Sequence, residues 1–183
     1  MNTSRFAAAL SSAEDTVEAA RQVCESARDQ LQAEPHLAVV FFSPHHKDRA
    51  EQIAEILAQQ LDSATLLGCN GESILGTGQE LEDGPGLSLW LAHLPGCSLH
   101  PMQLRYERQP DGGLFVGWPD SLQQGWPPGG VLLTVADPYS FPADLLLHRL
   151  NEDRPGVPAL GGMASGGSGP GANRLLLRHP NSS

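Results

Sequence analysis

Residues Leu66 to Ser73 read LLGCNGES, which places a thiol, an amide and a carboxylate in one glycine-bracketed turn. Such a turn is open to several chemistries. Cys69 as a nucleophile would need a nearby base and a lowered pKa, because only the thiolate attacks. His45 or His46 could supply the base if the strand end before them adjoins the Cys69 strand. Yet GCNGES is not a G-x-S-x-G elbow. A phosphate cradle would need more glycines, a GK[ST] ending and a helix opened by the loop; here SILGTGQ breaks with glycine almost at once. Ligand binding remains. Asn70 and Glu72 are polar groups on a turn held by strands, where binding groups tend to sit. The competing reading is turn chemistry alone, since Asn-Gly is a strong turn pair in its own right.

A second glycine-rich turn mirrors the first. LAVVFFSP, a helical stretch and ATLLGCNGES align without a gap on VLLTVADP, a helical stretch and PALGGMASGG. Pro44 falls on Pro138, Gly68 on Gly162 and Cys69 on Met163. The shared glycine, not the thiol, is therefore what the turn needs, as where a backbone takes positive φ or something approaches closely. In α/β sheets, ligands favour the crevice outside the carboxyl ends of strands. The expected pocket is thus lined by Gly68, Cys69, Asn70, Gly71, Glu72 and Ser73, and by Gly161, Gly162, Met163 and Ser165. Ser43 and Asp137 stand at adjacent strand ends. Asp137 has a second reading as the cap of the following helix.

The elements that would hold these turns can be read from periodicity. Ser11 with Glu14 has capping-box spacing, and Val17, Ala20, Val23, Ala27 and Leu31 share a helical face, with Cys24 beside it as a small buried hydrophobe. Leu37 to Ser43 and Val131 to Asp137 are short apolar runs of the doubly buried strand type. An amphipathic helix follows each: Ile53, Ile56, Leu57 and Leu61 mark the first, and SFPADLLLHRL is the second, with Ser140 as its cap. Gly76 to Gly86 reads as a loop, Leu87 to Leu94 as a strand, and Leu99 to Arg108 as its antiparallel neighbour. Gly112 to Gly130, rich in Gly, Pro and Trp, reads as an irregular excursion with a short strand at Leu114 to Val116. The fold class expected is α/β: two repeated β-α-β-β units, about 37–108 and 131–180, forming a mixed sheet layered with helices. A helical segment over 1–35 precedes them, and 36–183 form the main domain.

Composition narrows the function. A net charge of −10 with no basic run disfavours nucleic acid or an anionic membrane as partner. Three widely spaced cysteines with no CxxC pair disfavour a zinc ribbon. The histidines are scattered apart from adjacent His45 and His46, and His93 and His179 match across the repeat without an HExxH. No metal or cofactor is expected. No signal peptide or bilayer-spanning run is evident, so a cytoplasmic location is the default.

LAVVFFSP, LLGCNGES, LSLWLAHL and the run from VLLTVADP to PALGGMASGG together resemble the FIST N-terminal domain, from about Leu37 to His179. The resemblance implies a sensory domain of signal-transduction proteins that binds a small molecule such as an amino acid. It also implies a C-terminal FIST domain as partner, so a chain ending at Asn181-Ser182-Ser183 reads as an N-terminal half. No catalytic residues come with it. A cysteine enzyme using Cys69 with His45 or His46, and an interaction domain using Trp118 or Trp126, are the alternatives.

Overall fold

The computed structural model describes residues 3–62, 64–76, 78–110, 112–123 and 125–180; the terminal Asn181-Ser182-Ser183 lie outside the described residues. The core is a five-stranded mixed sheet with strand order β1-β6-β2-β3-β11. Its members are β1 (Arg5–Ser11), β2 (Leu37–Phe42), β3 (Thr65–Asn70), β6 (Leu87–His93) and β11 (Leu175–Arg178). β2 and β3 run parallel, and every other neighbour is antiparallel.

Helices α1 (Thr16–Leu31) and α2 (Ala50–Gln60) cover one face of this sheet. α1 presents Ala19, Ala20, Val23, Cys24, Ala27 and Leu31, all buried, over Ala7 and Ala9 of β1 and Leu87, Leu89 and Leu91 of β6. The alternation along the strands is what makes this possible: every second side chain points to the helices. The small residues of α1 let the helix approach closely, and its start is fixed by Asp15, whose carboxylate accepts from the Glu18 N–H at 2.9 Å.

The expected start at Ser11 is corrected here. Residues Arg5–Ser11 form a strand, and Ser11 hydrogen-bonds Gln22 at 2.6 Å instead of capping the helix. The alanine-rich RFAAALS lacks β-branched residues, so local propensity hid it; the alternating burial of Ala7, Ala9 and Ser11 against the helix face is a tertiary effect. That strand also takes the place expected for 99–108. β6 is flanked by β1 and β2, while β7 (Arg105–Gln109) pairs instead with β8 (Gly112–Val116) in a separate hairpin. Within the expected loop, β4 (Ile74–Gly76) and β5 (Gln79–Leu81) pair as a short two-stranded sheet.

The two stretches expected to repeat differ in how they close. A parallel β-α-β arrangement occurs twice, as β2-α2-β3 and as β9 (Leu132–Ala136), α4 (Ala143–Asp153) and β10 (Ala159–Met163). After the first, β6 returns beside its own β2; after the second, β11 leaves its unit and pairs with β3. β9 and β10 therefore form a two-stranded parallel sheet of their own. A second core cluster of Phe115, Leu132, Leu146 and Leu150 joins that pair, α4 and the β7–β8 hairpin, with Trp118, Trp126 and Phe141 against it. The short helix α3 (Asp120–Gln123) lies between β8 and β9 in the chain.

Candidate functional site

Gly68 sits mid-strand in β3, opposite Val40. A Cβ there would lie 2.3 Å from the Val40 carbonyl oxygen and 2.5 Å from its Cγ1. The glycine is demanded by close strand packing, and the first turn begins only after it. Cys69 is buried, between Phe41 and Leu175 on neighbouring strands. Burial in that apolar site pushes its thiol up to about 11. No hydrogen bond joins it to His45 or His46 among the described residues; His46 is itself buried and holds Thr16 Oγ1 at 2.9 Å through Nδ1.

Asn70 closes β3, fully buried. Its amide donates to the Ser165 carbonyl at 2.6 Å and to Asn173 Oδ1 at 2.9 Å, and its oxygen accepts from the Arg174 N–H at 2.5 Å. Asn173 passes the chain on, donating to Asp137 Oδ1 at 2.8 Å, while Ser140 donates to Asp137 Oδ2 at 2.7 Å. Burial would raise the Asp137 pKa, but the hydrogen bonds from Asn173, Ser140 and the Tyr139 backbone outweigh it and hold the carboxyl below its ordinary value. The Glu72 N–H donates to Ser165 Oγ at 3.0 Å, and the Gly71 N–H to the Phe42 carbonyl at 3.0 Å.

The structure thus brings the two glycine-rich segments together. Asn70, Glu72, Ser165 and Asp137 form a polar clasp closed by Asn173, with Gly71 tied back to Phe42. Glu72 and Ser73 are exposed, and Met163 is 39% exposed. Ser43 belongs to a neighbouring lock: buried, it accepts from the Gly86 N–H at 3.0 Å and donates its own N–H to the Gly86 carbonyl at 2.8 Å. Gly161 and Gly162 stand one step away, in β10. Gly161 has φ of +151° and would put a Cβ on the Thr134 carbonyl, so glycine is required there too, whereas Gly162 meets nothing.

A cavity of about 550 Å³ opens elsewhere, between the β7–β8 hairpin, the segment around Trp118 and Trp126, and α4. Leu114, Phe115, Trp118, Trp126, Leu146 and Leu150 give it apolar walls, and Arg149, Asp153 and Arg154 stand at its lining. Arg154 is committed, donating to the Leu122 carbonyl at 2.9 Å. Arg149 and Asp153, both exposed, have neither a hydrogen bond nor an ion pair among the described residues. Among the described residues, the buried indole N–H of Trp126 has no partner. By sequence alone these tryptophans read as core or loop packing, or as a partner surface. The missed signal was Arg149 and Asp153 one turn apart on a helix whose apolar face meets a Trp-rich segment. Among the described residues no group of three or more His, Cys, Asp and Glu is placed to hold a metal ion, and no helix is long and apolar enough to cross a membrane.

Compared with known proteins, residues 36–179 match the FIST N domain family. An uncharacterized protein of Mycobacterium bovis is 35% identical over 167 residues, which is 90% of this chain and 42% of that protein. An uncharacterized protein of Mycobacterium tuberculosis is 33% identical over 173 residues, 94% of this chain and 44% of that protein. The chain therefore spans somewhat less than half the length of these relatives. No solved structure matches it.

Proposed function

Because this chain belongs to the FIST N domain family, a family of sensory signal-transduction domains, we propose that it senses a small molecule held in the cavity beside α4. The observation that supports this most is the cavity itself. Its volume of about 550 Å³ lies in the range of roughly 300–1,000 Å³ usual for ligand pockets. Its composition fits too, with apolar and aromatic walls and a few polar groups to set orientation. Arg149 and Asp153 are one cation and one anion, not paired with each other, at the edge of an aromatic chamber. That combination suits an amino acid or related metabolite with an apolar side chain: carboxylate to Arg149, ammonium to Asp153, side chain against Trp118 and Phe115. An acceptor reaching the Trp126 N–H would also relieve a buried unpaired donor, which costs roughly 1–3 kcal/mol when left alone.

In this reading the glycine-rich turns are the clasp that holds the second unit to the main sheet. Asn70 and Asp137 are spent within the protein, and Glu72 and Ser73 are the turn residues left open to a solvent-side ligand or partner. The chain acts as a cytoplasmic sensor, not as a thiol enzyme: a buried Cys69 with a raised pKa is a poor nucleophile.

A thermal-shift screen of the natural amino acids, followed by tryptophan fluorescence titration, tests the proposal. The expected result is saturable binding of one apolar or aromatic member, weakened at least about tenfold by Arg149→Gln and by Trp118→Ala. That factor corresponds to about 1.4 kcal/mol. Binding unchanged in both variants, or no member of the panel binding at all, would overturn the cavity assignment.

A further inference from the structure

The helices cover one face of the five-stranded sheet, and the register places Phe6, Phe41, Trp90, Leu175 and Leu177 on the other. These are exposed by 57%, 38%, 36%, 44% and 40%. Only part of this face is met by the second unit, where β9 approaches β3 and Leu133 lines a gap with Leu67 and Leu177. The β9–β10 pair is just as incomplete. α4 and its cluster cover Leu132 and Ala159, but on the opposite side Leu133 and its register partner Leu160 are 39% and 61% exposed. No strand among the described residues pairs with the outer edge of β10.

A parallel sheet normally has more than two strands and both faces buried, because its crossover connections place layers on each side. Exposed contiguous apolar surface of this kind marks an interaction site. More than half of each of these relatives lies outside the part this chain matches, which is length enough for a companion part to occupy such a surface.

We propose that the companion part carried by those relatives completes this sheet: one of its strands joins the free edge of β10, and its apolar face covers Leu133, Leu160, Phe41 and Leu175. Alternation dictates the division of labour. The backbone edge of β10 supplies direction and register, and the apolar side chains supply affinity. The surface is separate from the ligand cavity, so its test leaves that reading untouched.

The test is hydrogen exchange by mass spectrometry on this chain and on the full-length M. tuberculosis relative. In this chain, peptides covering 159–163 should exchange fast, as unpaired edge amides do. In the relative, the aligned peptide should exchange slower by on the order of 100-fold. Leu160→Asp should leave the melting temperature of this chain within about two degrees, since the residue is already exposed; the aspartate at the aligned position of the relative should abolish the extra protection. Equal exchange in the two proteins would overturn the proposal. So would retained protection in the aspartate variant. A dimer of this chain in sedimentation, dissociated by Leu160→Asp, would assign the face to a second copy and overturn it as well.

Discussion

Asn70 decides between two meanings of the LLGCNGES turn. If it orients a ligand, removing its side chain should spoil binding and leave the fold nearly untouched. The structure argues the reverse. Asn70→Ala strips three hydrogen bonds and leaves three groups behind: Asn173 Oδ1, the Ser165 carbonyl and the Arg174 N–H. Asn173 is buried, so its oxygen bears a full penalty of about 1–3 kcal/mol. Ser165 and Arg174 are exposed residues that water reaches, so each loses less, around 1 kcal/mol. The expected cost is therefore about 3–5 kcal/mol, against a total stability of roughly 5–15 kcal/mol for such a domain. At about 2–4 °C per kcal/mol for a chain this size, the melting temperature should fall by roughly 6–20 °C. Urea denaturation followed by circular dichroism measures it. A double-mutant cycle with Asp137→Ala should show the two costs to be non-additive, because both sites share Asn173. A loss below about 1 kcal/mol, with additive single effects, would refute the clasp.

Other consequences follow from the same geometry. Iodoacetamide at neutral pH should label exposed Cys97 first and reach Cys24 and Cys69 only on unfolding, because both are buried with thiols raised to about 11; labelling of Cys69 at the Cys97 rate would revive the nucleophile. Gly161→Ala should loosen β9–β10, seen as faster exchange at Leu132–Ala136, by clashing with the Thr134 carbonyl, while Gly162→Ala should be silent. His46 is held neutral: burial lowers its pKa, His45 and Arg49 lower it further, and Asp15 opposes them. With the folded value below the unfolded 6.5, its contribution is whole above pH 6.5 and is lost as pH falls through the folded value. His46→Gln should flatten the stability–pH curve between pH 7 and 5, and an unchanged slope in urea titrations would show that the proton goes elsewhere.

How much of this was legible depends on whether the signal was local. The paired runs LAVVFFSP and VLLTVADP, each followed by a 3.6-period helix, carry their own structure, and β2-α2-β3 and β9-α4-β10 stand where those patterns lie. Gly68 was legible as a place of close approach and stands against Val40, whereas Gly162, which aligns with it in the sequence, meets nothing. RFAAALS was illegible as a strand because its alanines gain their strand character only from α1 and β6. Asn173 was illegible because nothing in NRLLLRH says that the side chain reaches back to Asn70 and forward to Asp137.

That last gap bears on how a sensor of this build would signal. The cavity and the clasp are both borders of the second unit: α4 walls the cavity, and Asp137, at the end of β9, anchors the clasp. A ligand that draws α4 toward Trp118 pulls on the element whose connection to β9 runs through Asp137 to Ser140. Differential affinity for two positions of that element is all that coupling requires. The prediction is that Asn173→Ala, which cuts the clasp at its middle without touching the cavity, shifts ligand affinity as well as stability. Paired isothermal titrations of wild type and variant, run at a temperature where both are folded, measure it. A variant that loses stability but binds with unchanged affinity would show that the two borders are energetically separate, and the clasp would then be a fastening with no part in sensing.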